Sequence, residues 1–151
     1  MDNDKDYCSY PLSLALKACG FDEPCDHFYT NGYANDNPED ISRVVKLNNG
    51  SVYNHNKVIG ADGEHISAPH IFHAQKWLRN KCRLHVAVFP CMDSSSDADG
   101  QVCDEWQFWF FDIMQVSTAR FLLDGEGRFD SYEQALSEGI KSALELITKG
   151  E

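Results

Sequence analysis

The chain has 151 residues, and its 24 Asp and Glu against 13 Lys and Arg give a formal charge of −11 at neutral pH. That length suits a single domain over 1–151, and a content of 42% hydrophobic and 12% aromatic residues supplies a core and excludes global disorder. So negative a field repels polyanions, which speaks against nucleic acid and anionic membrane as partners without naming a partner.

The N-terminus reads Met1-Asp2-Asn3-Asp4-Lys5-Asp6, without the basic start and apolar run of a secretory signal. No apolar segment approaches the ~20 residues that span a bilayer, so the expected location is the cytoplasm. Disulfides are rare in that compartment. Cys8, Cys19, Cys25, Cys82, Cys91 and Cys103 contain no C-x2-C or C-x4-C pair of the kind that marks a zinc site, and read as free thiols that pack as small hydrophobes.

In chain order, the first predicted element is a helix over about 11–19. Ser9 or Tyr10 stands at its cap, Pro11 in its first turn and Gly20 at its end. An aromatic irregular stretch with Phe28, Tyr29 and Tyr33 follows, then an Asn/Asp/Gly-rich irregular segment at about 31–65. Within it, short strands at 43–47 and 51–53 are expected to form a hairpin across Asn48-Asn49-Gly50. Ser67-Ala68-Pro69 predicts the start of a second helix reaching about Lys81, with Ile71, Ala74, Trp77 and Leu78 facing the core. Lys76, Arg79 and Lys81 near its end complement the helix dipole.

Two antiparallel strands are expected next. Val86 pairs with Phe108, Leu84 with Phe110 and Val88 with Trp106 on one face, while the other carries His85, Phe89, Trp109, Phe111 and Ile113. This register sets Cys91 opposite Cys103 across an acidic loop over 93–100. A third strand over 119–123 ends at an Asp124-Gly125 turn. Ser131 and Gln134 form a capping box for the last helix, whose apolar stripe is Tyr132, Ala135, Leu136, Ile140, Ala143, Leu144 and Ile147. The expected fold is therefore α+β. An antiparallel sheet of about three strands packs against two central and C-terminal helices and a short N-terminal one.

Few residues point to chemistry. His70 and His73, three apart on the second helix, can present two imidazoles to one metal, with Cys82, His65 or a loop carboxylate completing the set. Two partly exposed helix histidines are the plainer account. His85 can serve as base to a thiol at Cys82 or Cys91, although a packed strand histidine is the commoner outcome. The carboxylates of the 93–100 loop lack calcium-loop spacing, and no glycine-rich phosphate cradle is present. No cofactor is called for. The strand over 106–111 is apolar on both faces, so it is either covered on both sides or used at an interface.

Four segments carry a resemblance: Gly20-Phe21-Asp22-Glu23-Pro24-Cys25, Ser67-Ala68-Pro69 leading to Gln75-Lys76-Trp77-Leu78-Arg79, the strand over 106–111, and Phe129-Asp130-Ser131-Tyr132-Glu133-Gln134-Ala135-Leu136. Together, over about 13–147, they resemble a family of small uncharacterised proteins of Bacteroides-type bacteria and their phages or mobile elements. The resemblance implies provenance and a compact fold, and it transfers no catalytic residue.

The resulting expectation is a non-enzymatic accessory or regulatory protein that contacts an unknown protein partner or forms a homodimer. Its candidate surface comprises Trp109, Phe111, Phe28, Tyr29 and Tyr33. One alternative is a small enzyme or metal-binding protein using His70, His73 and His85 with Cys82 or Cys91. Another is an acidic mimic of nucleic acid.

Overall fold

The computed structural model describes residues 6–30, 45–46, 54–60, 63–96 and 102–149. Its first helix, α1 (Tyr10–Ala18), begins where the Ser9 hydroxyl accepts from the Leu12 N–H at 3.4 Å. It closes when the N–H groups of Gly20 and Phe21 return to the carbonyls of Lys17 and Leu16. Gly20 holds the left-handed φ of 92° that this termination needs, and Phe21 behind it is buried.

Four short strands form one sheet: β1 (His27–Thr30), β2 (Val45–Lys46), β3 (Ile59–Gly60) and β4 (Gly63–Ser67), in the order β2-β1-β4-β3. The aromatic stretch expected to be irregular thus contains a strand. Val45–Lys46 pairs with β1, and 51–53, its expected partner, lies outside the described residues. Phe28 stacks on His65 at 4.3 Å, while Tyr29, Ile66 and Ala68 make a small core of their own.

The second helix begins later than its proline suggests. Ser67 ends β4 and the Ala68 N–H donates to His27 O at 3.0 Å, so the chain stays extended through Pro69. The His70 ring then caps α2 (Ile71–Trp77), which widens into a π-helical turn at Leu78–Cys82. Arg83, with a left-handed φ of 59°, stops it. From α2, Gln75 donates to Val86 O at 2.7 Å and occupies the free edge of the next strand.

The main sheet is β5 (Leu84–Ser96), β6 (Val102–Gln115) and β7 (Arg120–Phe129), antiparallel in that order. The last helix, α3 (Tyr132–Thr148), is capped by Ser131, whose hydroxyl accepts from the Gln134 N–H, while the Gln134 side chain accepts from the Asp130 N–H. Its stripe of Leu136, Ile140, Ala143 and Leu144 is buried with Leu84, Val86, Phe111 and Ile113 of the sheet and with Leu12, Leu16, Ile71, Trp77 and Leu78 of the other helices. These side chains form the main core between the helices and one face of the sheet.

The observed register differs from the expected one. Val86 lies opposite Ile113, five positions further along β6 than Phe108, and Val88 lies opposite Phe111. An odd displacement exchanges the faces of β6. Phe111 and Ile113 therefore point into the core, whereas Phe108, Phe110 and Met114 join His85 and Phe89 outside. Cys91 faces Phe108 and Cys103 faces Ser95, so the two cysteines do not meet. The 93–100 segment is in part strand, since β5 runs to Ser96. Asp124-Gly125 is a bulge within β7 rather than a turn, because Leu123 pairs with Ile113 and Glu126 with Phe111. Gly125 takes the left-handed φ of 67° there, and its N–H donates to the Asp112 carboxylate at 2.6 Å.

Candidate interaction surface

The alternation of β5 and β6 sorts their side chains into two populations. On the inner face, Leu84, Val86, Phe111 and Ile113 are at most 6% exposed. On the outer face, Phe89 is 43% exposed, and Phe121 of β7, opposite Met114, is 55% exposed. The same face carries half-buried Cys91, Phe108, Phe110 and Met114, with His85 and the buried Asp112 carboxylate among them. None of these outer side chains belongs to either buried core cluster. The Phe89 and Phe110 rings lie 5.7 Å apart as a cross-strand pair. An apolar strip of this kind, on one face of a two-layer domain, is the surface pattern that marks association.

Cations border the strip. The Arg128 guanidinium sits 4.8 Å above the Phe108 ring, and an Arg79 nitrogen lies 3.5 Å from His85 Nδ1. Burial, and then the Arg79 charge, hold the His85 imidazole below its ordinary pKa. At the same end of the sheet, Arg83 precedes β5 and Arg120 opens β7.

Three of the five aromatic residues expected to form the surface belong to the core. Phe28, Tyr29 and Phe111 are only 5%, 6% and 4% exposed. β1 pairs on both sides with β2 and β4, and the parity of β6 turns Phe111 inward onto Phe129 at 6.0 Å. Trp109 is half-buried, edge-on to Tyr132 at 5.5 Å. Tyr33 lies outside the described residues. The exposed phenylalanines of the outer sheet face are instead Phe89 and Phe121. Phe89 was legible as an outer residue from the alternation of β5, whereas Phe121 required the position of the β7 bulge.

The histidines separate. His70 caps α2, with its Nε2 3.8 Å from Asp6, while His73 Nε2 lies 2.5 Å from Glu23. Among the described residues, no group of three or more His, Cys, Asp and Glu is arranged to hold a metal ion. His85 and Cys91 are six residues apart on one strand, roughly 20 Å at the ordinary rise, and so cannot act as base and nucleophile together. Burial raises the Cys82 thiol, with Cys19 adding to the effect. Near the N-terminus, Asp26 bonds His27 at 2.7 Å beside Cys25. Burial raises the Cys25 thiol, only partly offset by the Ser67 hydroxyl and by backbone N–H groups of Ala68 and His27. Cys8 is raised further still, first by burial and then by Cys25. Thiols held protonated in this way are poor nucleophiles.

An open groove of about 420 Å³ separates α1 from α3, lined by Leu12, Ala15, Ala18 and Leu144 with Glu138 and Lys141 at its rim. It brings no convergent set of polar groups to a ligand. Among the described residues, no helix is long and apolar enough to cross a membrane. Compared with known proteins, the chain matches no family model, no curated protein and no solved structure.

Proposed function

We propose that this chain is a non-enzymatic accessory or regulatory protein that acts through protein–protein contact, with the outer face of β5–β6–β7 as its docking surface. One observation supports this reading: Phe89 and Phe121 are 43% and 55% exposed on a face that also carries the apolar Phe108, Phe110 and Met114, beside His85 and the buried Asp112. An aromatic cluster with an arginine rim is the composition that concentrates binding energy at protein interfaces. The raised thiols and the separated histidines also favour contact over catalysis. A cytoplasmic location, and the provenance implied by the resemblance, form part of the same proposal.

The test is affinity capture from a lysate of the encoding organism, with the wild-type chain beside Phe89→Asp and Phe121→Asp. A protein retained by the wild type and lost from both variants supports the reading. Equal retention by all three, with unchanged circular dichroism, overturns it.

A further inference from the structure

We draw no further inference here: the strongest candidate, the apolar groove of about 420 Å³ between α1 and α3, carries Glu138 and Glu145 alongside Lys141 and Lys149 at its rim, and nothing in the structure shows what covers it.

Discussion

Gly139 of α3 lies directly against Val86 of β5: a Cβ added at position 139 would overlap Val86 Cγ1 and come within 3.1 Å of the Phe111 ring. Glycine is a poor helix former, yet here its missing side chain lets the helix axis approach the sheet over the centre of the core. Leu136, Ile140 and Ala143, on the same stripe, are fully buried around the contact.

Gly139→Ala should therefore destabilise the protein. The substitution gains up to about 1 kcal/mol of helix propensity, but overpacking a core in which Val86 and Phe111 are buried costs about 1–3 kcal/mol. A net loss of about 1–2 kcal/mol would lower Tm by roughly 2–8 °C in a domain of this size. Chemical denaturation of Gly139→Ala, Val86→Ala and the double variant measures the coupling, with the double expected to be more stable than additivity allows.

This contact also shows how much of the fold the sequence carried. The caps of α1 and α3 were legible, because Ser9, Pro11, Gly20, Ser131 and Gln134 act within a few residues of their own backbone. The three strands of the main sheet were legible too. Their register was not, because every residue of 106–111 except Gln107 is aromatic and either parity of pairing puts hydrophobic residues together. Helix α3 decides between them, since its stripe and the gap at Gly139 accept Phe111 and Ile113. The expectation of Phe111 at the surface rests on the other parity, whereas the observed pairing turns it inward beside Val86 and Ile113. The strands β1 and β4 were missed because they show no polar–apolar alternation and pair only with each other and with equally short neighbours.

The β7 bulge depends on one carboxylate. Asp112 is 8% exposed, and its Oδ1 accepts the Gly125 N–H at 2.6 Å, satisfying a backbone donor that the ladder skips. Asp112→Ala should cost about 1.5–3 kcal/mol, the range for hydrogen bonds to charged groups. Asp112→Asn keeps the acceptor geometry and should recover part of the loss. Thermal melts of the two variants separate this role from simple side-chain packing, which both would disturb to a similar extent.

Ala119 closes the turn between β6 and β7 with a φ of 56°, a left-handed conformation that costs an L-residue about 1–2 kcal/mol. It is exposed, so a smaller side chain loses no packing. Ala119→Gly relieves the strain but enlarges the freedom of the unfolded chain, and the balance should be a stabilisation of about 0.5–1 kcal/mol. A higher denaturant midpoint with an unchanged slope is the expected signature, and a lower midpoint would refute it.

His85 links the outer face to pH. Its imidazole is held below its ordinary pKa first by burial and then by Arg79, whose guanidinium lies 3.5 Å from Nδ1. The folded state therefore binds this proton less readily than the unfolded state, whose value is about 6.5. The stabilising difference is complete above that pH and is lost as the pH falls from there through the folded pKa. In an NMR titration, the His85 ring should titrate with a midpoint below the ordinary histidine value, and Arg79→Met should move that midpoint upward by removing the like charge. His85→Gln should flatten the acid limb of the stability profile relative to the wild type while leaving its neutral limb in place. A midpoint at or above 6.5 in the wild type, or one indifferent to Arg79→Met, would show that the guanidinium and the strand environment do not govern this proton.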